Sequence, residues 1–482
     1  MADRRHGALR RSSARKGTAR AAGRGGRRPN ILFFFTDDQR FDTIRALGNR
    51  HIVTPTLDRL VREGTAMTRA YIMGGSCPAV CMPSRAMLMT GRTLFHLQEQ
   101  GQQVPDSHVL LGEHFRRAGY RTFGTGKWHN GPGAYARSFS GGDEIFFGGM
   151  EDHWNVPAFR FDPTGRYEDR LPACVDTWRS NKLRHRPGDH VTAGRHSTDL
   201  FGDAAIEFLR SGDGADPFFL YVAFMAPHDP RTMPREYLDL YDPEKLPLPE
   251  NFLGAHPFDN GELKIRDEVL EDFPRTPQAV RRHLAEYYGM ITHADAAMGH
   301  VLSVLKHTGR YENTIIVFAG DNGLALGRHG LMGKQNLYDH SVHVPLIFAG
   351  PGVPAGRRCD ALCQLQDIFP TLCDLAGLDT PDTVEGRSLA PVLSGRRAAA
   401  RDSLLLAYRH VQRGVMDRRW KLIEYLVEGR RTTQLFDLRA DPFEQRNRAD
   451  DPACRAVLRH LRRKLRSWRD ELDDPCKEFW DK

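Results

Sequence analysis

Short apolar runs alternate with amphipathic stretches along most of this chain. Five of these runs, at residues 31–35, 121–124, 218–224, 314–319 and 344–348, have the length of buried strands. Most are continuously apolar, which is typical of strands covered on both faces of a largely parallel sheet. Helical patterns lie between them at residues 57–63, 109–118 and 276–309. This alternation predicts an α/β fold in which helices sandwich a large, mostly parallel central sheet.

The pattern changes near residue 395, where a linker rich in arginine and alanine interrupts it. Strand-like runs follow at residues 404–408, 420–425 and 434–438, and a basic amphipathic helix covers residues 455–468. We therefore predict a large α/β domain over residues 29–395 and a small antiparallel-sheet-plus-helix subdomain over residues 402–482. Residues 130–200 show no clear period, and we expect long loops there over one edge of the sheet.

The formal net charge of +8 is concentrated at the N-terminus. Residues 1–28 hold nine arginines and Lys16 against Asp3, a balance of +9, so the rest of the chain carries about −1. This segment has few large apolar residues, which predicts a disordered basic tail, and we expect no nucleic-acid partner from it alone.

The sequence also lacks the patterns of a membrane helix and of a secretory signal. No run reaches the roughly eighteen apolar residues that a membrane helix requires, and the basic tail lacks the apolar core of a secretory signal. The eight cysteines are scattered and form no CxxC pair. The sequence therefore predicts a cytoplasmic protein without a membrane partner.

Two polar pairs directly follow apolar strand candidates. Asp37 and Asp38 come after the run at 31–35, and Asp321 and Asn322 come after the run at 314–319. Each pair alone could be an ordinary helix cap or turn. Because the carboxyl ends of parallel strands meet at one edge of a sheet, the two pairs can also converge. Four oxygen ligands without histidine or cysteine suit a hard cation, either Ca²⁺ or Mg²⁺.

A third motif starts at Cys81. Residues 81–92 read Cys-Met-Pro-Ser-Arg-Ala-Met-Leu-Met-Thr-Gly-Arg. A buried cysteine at a helix start is the plain alternative. However, the full pattern resembles the activation sequence of the type I sulfatases, members of the alkaline phosphatase superfamily, in which an activating enzyme oxidises this cysteine to formylglycine. The C-x-P-x-R part of that signal is present at Cys81, Pro83 and Arg85.

Further segments resemble the same family in family order. They are Gly126-Lys127-Trp128-His129, Ala226-Pro227-His228, and the segment from Gly333 to Tyr338 that contains Lys334. The resemblance extends over roughly residues 29–470. It implies a sulfuric ester hydrolase that cleaves a sulfate monoester to an alcohol and inorganic sulfate.

The resemblance also implies a role for each of these residues. Asp37, Asp38, Asp321 and Asn322 would bind the cation, with Ca²⁺ as the family expectation and Mg²⁺ as the alternative. Arg85 and Lys127 would stabilise the ionised formylglycine hydrate, and Lys334 and His228 would bind sulfate, one of them protonating the leaving alcohol. His129 would abstract the proton that drives sulfate release. The partners implied are a sulfated small molecule or sugar and a formylglycine-generating enzyme.

Alternatives remain open at this point. Phosphonate monoester hydrolases and phosphodiesterases share the superfamily, and a chain with unmodified Cys81 would be a silent binding protein. Five residues could contact the organic part of the substrate or simply pack: His153, Arg231, His329, His340 and His343. Cys77 lacks the motif context, and we assign it no catalytic role. Neither the sulfated alcohol nor the oligomeric state can be predicted from these patterns.

Overall fold

The computed structural model describes residues 27–176, 178–212, 216–477 and 480. The predicted basic tail at residues 1–28 lies outside the described residues except for Arg27 and Arg28. Among the described helices, none is long and apolar enough to cross a bilayer. The predicted cytoplasmic location stays a prediction.

Twenty strands and eleven α-helices make up the described fold. The strands are β1 Asn30–Thr36, β2 Gly64–Met67, β3 Ala70–Tyr71, β4 Gly74–Gly75, β5 Arg121–Trp128, β6 Gly141–Phe147, β7 Pro157–Ala158, β8 Arg170–Cys174, β9 Leu183–Pro187, β10 His190–Val191, β11 Phe218–Ala223, β12 Thr314–Gly320, β13 His343–Val344, β14 Leu346–Ala349, β15 Arg357–Cys359, β16 Cys363–Gln364, β17 Leu404–Tyr408, β18 Gln412–Met416, β19 Trp420–Val427 and β20 Arg430–Asp437. The helices are α1 Pro55–Glu63, α2 Cys81–Thr90, α3 Leu111–Arg117, α4 Pro132–Ser138, α5 Ser197–Arg210, α6 Arg235–Leu238, α7 Pro277–His307, α8 Asp339–Val342, α9 Ile368–Ala376, α10 Ala390–Leu393 and α11 Arg455–Glu471.

The central sheet has eight strands in the order β15-β2-β14-β12-β1-β11-β5-β6. Only β14 runs antiparallel to its neighbours, β2 and β12, and the other pairs are parallel. This confirms the predicted mostly parallel sheet. The predicted strand at 344–348 is broken, because Pro345 lacks an N–H group and separates β13 from β14.

Both faces of the central sheet are covered, as the continuous apolar strands predict. On β1, Ile31, Phe33 and Phe35 belong to one buried cluster, while Leu32 and Phe34 belong to another. Helices α5 and α7 pack in the second cluster, and α3, α4 and α9 contribute to the first. The predicted sandwich of helices around one sheet is therefore confirmed.

The C-terminal sheet has the order β20-β19-β18-β17-β4. Its four long strands are antiparallel, whereas β4 pairs with β17 in parallel. Strand β18 was not predicted. Because β4 comes from residues 74–75, this sheet also includes backbone from the predicted large α/β domain. The division into two domains stays a prediction.

The expectation of long loops throughout residues 130–200 was wrong. This segment contains α4, the edge strand β6 of the central sheet and the two-stranded pairs β7–β10 and β8–β9. Strand β6 starts Gly-Gly-Asp-Glu, so its first half gives no apolar pattern and its pairing with β5 cannot be seen from local sequence.

Candidate active site

The two polar pairs meet at the carboxyl end of the central sheet. Strands β1 and β12 are parallel neighbours in which Thr36 is opposite Gly320, so the residues that follow them emerge side by side. The backbone N–H of Asp38 donates to Oδ1 of Asp321 at 3.0 Å, and Nδ2 of Asn322 donates to Oδ1 of Asp38 at 2.6 Å. The predicted convergence of these four residues is therefore present in the fold.

Asp38 adopts a left-handed backbone conformation, with φ of 66°. A non-glycine residue in this region is uncommon and is held there by its surroundings. Here its carbonyl accepts a hydrogen bond from the hydroxyl of Tyr287 on α7 at 2.5 Å, while its N–H points to Asp321. The turn directs the side chains of Asp37 and Asp38 toward the same buried space.

Helix α2 places Cys81 and Arg85 beside these carboxylates. Cys81 is the first residue of the helix, and Arg85 lies one turn further along. Nε of Arg85 donates to Oδ2 of Asp321 at 2.8 Å, and the hydroxyl of Ser84 donates to the carbonyl of Asp321 at 2.6 Å. The helix ends at Gly91, whose left-handed φ of 65° suits glycine and whose N–H bonds to Met87. Ser84 and Arg85 of the 81–92 motif thus hold Asp321 in position.

A bulge in β5 positions Lys127 and His129. The register of β5 against β6 shifts between Thr125 and Gly126, and Gly126 has φ of 87°. A Cβ atom at Gly126 would lie 2.0 Å from the carbonyl oxygen of Ala223, so only glycine fits there. After the bulge, Nζ of Lys127 lies 3.6 Å from Sγ of Cys81, and Nδ1 of His129 lies 3.4 Å from the same sulfur.

Lys334 and His228 complete the ring around the carboxylates. Nζ of Lys334 donates to Oδ1 of Asp38 at 2.5 Å, and Nε2 of His228 lies 3.7 Å from Oδ2 of the same residue. The Nδ1 atom of His228 lies 2.8 Å from the carbonyl oxygen of Asp229. Because a carbonyl can only accept, Nδ1 carries the hydrogen and Nε2 faces the site. All ten residues expected at the site are therefore brought together.

The charges of the site shift the ionisation of its members. Burial opposes ionisation of Asp37, but Lys127 and the nearby His228 and Arg85 hold its pKa well below the usual range. Burial, followed by the Asp37 carboxylate, raises the pKa of Asp321 to about 7. Three carboxylates thus face three cationic side chains in a water-poor space.

The thiol of Cys81 and the nearby imidazole of His129 are both uncharged at neutral pH. Burial raises the pKa of the Cys81 thiol to about 11, although Lys127 and Lys334 act in the opposite direction. Burial and then Lys127 lower the pKa of His129 well below its ordinary value. A neutral thiol is a weak nucleophile, and a neutral imidazole can accept a proton.

The oxygen-rich cluster fits a hard divalent cation. Oδ1 of Asp37, Oδ2 of Asp38 and Oδ1 of Asn322 are buried and have no hydrogen-bond partner among the described residues. Buried carboxylate oxygens without a partner are costly unless a cation or donor satisfies them. The acidic side chains Asp37, Asp38 and Asp321 all belong to clusters whose ligand atoms lie within 4.8 Å of one another. Cys81 and His228 complete these clusters, and the other donors are oxygen atoms, as Ca²⁺ and Mg²⁺ require.

A pocket of about 290 Å³ opens above Cys81. Its lining includes His129, His228 and Lys334, together with residues that sequence reasoning missed: Pro78, Ala79, Gly149, Met150, Ile265, Arg266, Asp267 and Gln335. Arg266 pairs with Asp229 at 3.2 Å, and Gln335 donates to Asp267 at 2.6 Å. Met150 and residues 265–267 come from irregular segments, where no periodic signal could have identified them.

The five less certain residues do not line this pocket: His153, Arg231, His329, His340 and His343. His153 is buried behind the site, with Nδ1 2.8 Å from the hydroxyl of Ser197. His343 stacks between Phe41 and Tyr71, at centroid distances of 4.2 and 4.7 Å. Both residues pack the surrounding structure.

The other three members of that group also have packing roles. Arg231 lies 2.7 Å from Nδ1 of His283 on α7. His329 stacks on Tyr338 with ring centroids 4.0 Å apart, and His340 is buried next to this pair. The plain structural interpretation therefore accounts for their positions.

Comparison with known proteins identifies the family. The sequence profile described as Sulfatase matches residues 29–378. The chain belongs to the sulfatase family. A second profile, described as N-sulphoglucosamine sulphohydrolase, C-terminal, matches residues 327–471 of this sulfatase. An arylsulfatase of Clostridium perfringens is 30% identical over 91% of this chain and 94% of its own length.

Solved structures share the fold of this sulfatase over nearly its whole length. A protein solved in complex with its substrate D-glucosamine-2-N,6-O-disulfate has a TM-score of 0.70 and 24% identity, covering 94% of this chain and 100% of that one. The phosphonate monoester hydrolase of Agrobacterium radiobacter has a TM-score of 0.71 and 24% identity, covering 92% and 96%. The fold is thus shared by sulfatases and by phosphonate hydrolases of the alkaline phosphatase superfamily, and the chain is an enzyme of the sulfatase type.

Proposed function

We propose that this sulfatase hydrolyses a sulfate monoester with a formylglycine made from Cys81 and a divalent cation bound by Asp37, Asp38, Asp321 and Asn322. The observation that carries the proposal is the position of residue 81. Its side chain lies within 3.6 Å of Lys127 and 3.4 Å of His129, beside a cluster of oxygen ligands.

Cys81 itself is a poor nucleophile in this setting. Its thiol is buried, and its pKa of about 11 leaves it protonated at neutral pH. A sulfate bound to a thiol would also have no easy way to leave. A hydrated formylglycine supplies one hydroxyl for attack on sulfur and a second hydroxyl for release.

The residues around position 81 can supply the remaining chemistry. Lys127 lies close enough to stabilise negative charge on the attacking oxygen, whose place Sγ of Cys81 marks. His129 is neutral and near the same atom, so it can accept the proton that release requires. Lys334 and His228 line the pocket on the side of Asp38, where they can bind sulfate oxygens and protonate the leaving alcohol.

The bound cation, for which we propose Ca²⁺, would act as a Lewis acid that polarises the sulfate group. Without it, three carboxylates balance the charges of Arg85, Lys127 and Lys334. A divalent cation would therefore make the centre about +2, which favours an anionic ester. The formylglycine-generating enzyme remains the expected activating partner.

The organic part of the substrate would occupy the pocket above Cys81. Its volume of about 290 Å³ suits a single aromatic or sugar ring. Its walls at Pro78, Ala79 and Ile265 are apolar, and Arg266 adds a charged group at the edge. An aryl sulfate and a sulfated sugar ring both agree with this lining. The names of the arylsulfatase relative and of the disulfated glucosamine complex support the same two classes.

A comparison of two aryl esters tests the proposal. The activated enzyme should turn over p-nitrophenyl sulfate with a higher kcat/KM than an aryl phosphonate monoester, and Cys81→Ala should abolish both reactions. A strong preference for the phosphonate would instead support a phosphonate monoester hydrolase, which the structural neighbour from Agrobacterium radiobacter makes the second candidate.

A further inference from the structure

The C-terminal helix α11 carries a continuous basic face. Arg455, Arg459, Arg462 and Arg466 follow one another at spacings of four, three and four residues, so they form a single stripe on the helix. Arg463 lies next to this stripe, and all five side chains are exposed. With a rise of about 1.5 Å per residue, the stripe is about 16 Å long. We call these five residues the basic face.

The opposite side of α11 is fully used in packing. Leu461 and Leu465 are buried in a cluster with Leu422 and Leu435 of the C-terminal sheet. The basic face points away from this apolar cluster, although Arg462 reaches Glu424 and Thr433 of the sheet. On the far side of the sheet, Gln412 of β18 reaches the carbonyl oxygen of Gln335, which lines the catalytic pocket. The basic face and the catalytic pocket thus lie on opposite sides of the C-terminal sheet.

Most charges of the basic face have no acidic partner within the described part of the chain. Arg462 pairs with Glu424 at 2.7 Å, but Arg455, Arg459, Arg463 and Arg466 make no ion pair with any residue that the structure describes. Like charges three or four residues apart on a helix repel one another and destabilise it. An external polyanion would relieve this repulsion.

A groove beside the basic face gives an anionic chain a place to lie. Its volume is about 360 Å³, and four arginines border it: Arg462, Arg466 and Arg469 of α11 and Arg431 of β20. Thr433, Leu465 and Trp480 complete the border, together with Glu424, whose carboxylate pairs with Arg462. Guanidinium groups from two elements thus face one groove. Planar guanidinium groups bind the oxygens of tetrahedral anions through paired hydrogen bonds.

We propose that the basic face and its groove form a docking surface for a sulfated polysaccharide. A chain with many sulfate groups matches the basic face, on which four of the five arginines make no ion pair with a described residue. Membrane insertion would require an exposed apolar edge, and none of the large exposed apolar residues in the described structure lies on α11. Single-stranded nucleic acids are bound through exposed aromatic platforms. Trp468 of α11 lies on the packed side with Nε1 bonded to Ser403, and Trp480, which borders the groove, is only 6% exposed. The choice of a sulfated polymer rests on the proposed function.

The test measures binding of fluorescent heparin, as a polysulfated probe, to the full chain. The variant Arg455→Glu/Arg459→Glu/Arg466→Glu should bind about tenfold more weakly or worse, with a smaller dependence on salt. A matched control, Arg50→Glu/Arg184→Glu/Arg210→Glu, changes three exposed arginines on other elements by the same charge and should bind like the wild type. The basic N-terminal tail is present in every variant, so it cannot cause a difference between them.

Several outcomes would overturn the proposal. Equal weakening of heparin binding in both variants would show an effect of net charge alone. If duplex DNA or phosphatidylserine vesicles bound more tightly than heparin and lost this binding in the α11 variant, they would be the occupant instead. Turnover of p-nitrophenyl sulfate should be the same in all variants; its absence in the wild type would refute the proposed function without affecting the heparin result. Should the glutamates prevent folding, glutamine at the same three positions gives the same comparison.

Discussion

Lys127 offers the sharpest quantitative prediction about the site. Its ammonium group is buried, pairs with Asp37 and lies 3.6 Å from Sγ of Cys81. At an effective dielectric constant of about 20, a unit charge at that distance stabilises a developing negative charge by about 4–5 kcal/mol. Removal of one such donor from an active site typically lowers turnover by about 10²–10³-fold. We therefore expect Lys127→Met to lose about that much in kcat/KM.

Lys421 provides a matched control for the loss of a buried lysine. It is equally buried, pairs with Asp339 and Glu444, and lies in the C-terminal sheet away from the catalytic pocket. Breaking a buried ion pair by removing one partner costs about 3–5 kcal/mol of stability, so both lysine variants should melt at lower temperature. Only Lys127→Met should lose turnover per folded molecule.

Steady-state kinetics on p-nitrophenyl sulfate and thermal melting measure both effects. Added Ca²⁺ should raise the stability of Lys127→Met by more than that of Lys421→Met, because in Lys127→Met the cation also neutralises the Asp37 carboxylate that has lost its partner. The reasoning is refuted if kcat/KM of Lys127→Met stays within about threefold of the wild type. Equal loss of turnover in Lys421→Met would also contradict it, since a general effect of destabilisation would then explain both.

Three further predictions concern other groups. Asp321→Asn should abolish the rise in Tm that Ca²⁺ gives the wild type, as a melting titration will show; an unchanged rise would remove Asp321 from the ligand set. His129→Ala should release alcohol in a burst ahead of sulfate, measured by stopped flow, and equal steady release of both would exclude its role in sulfate release. Burial opposes protonation of His190, but Asp189 and Glu144 raise its pKa overall, so its stabilising effect is present at low pH and lost as pH rises through that pKa. The difference in unfolding free energy between wild type and His190→Gln should thus shrink from about pH 6 to 8, and a flat or growing difference would refute it.

Much of the site could be predicted because it depends on strand order and local motifs. Asp37 and Asp321 follow continuous apolar strands, and parallel neighbours bring their carboxyl ends together. Lys127 was found through the resemblance of the Gly-Lys-Trp-His segment to the sulfatase motif, and the bulge at its glycine is the structural reason for the position of the lysine. These residues could therefore be found without knowledge of the contacts between distant parts of the chain.

The pocket walls could not be predicted in the same way. Arg266 and Asp267 lie in an irregular segment and reach the pocket only because Asp229, Lys334 and Gln335 hold them there. Strand β6 was missed for a similar reason, since its pairing with β5 is a long-range choice that its polar first half does not reveal. The walls of the proposed substrate pocket therefore come from parts of the chain where sequence patterns are weakest.

The most direct test of the central claim is the chemical state of residue 81. Trypsin should release residues 70–85, a peptide that contains both Cys77 and Cys81. In active enzyme, iodoacetamide should alkylate Cys77 alone, and residue 81 should be about 18 Da lighter than cysteine, as the change from thiol to aldehyde requires. Two alkylated thiols in fully active enzyme would contradict the account.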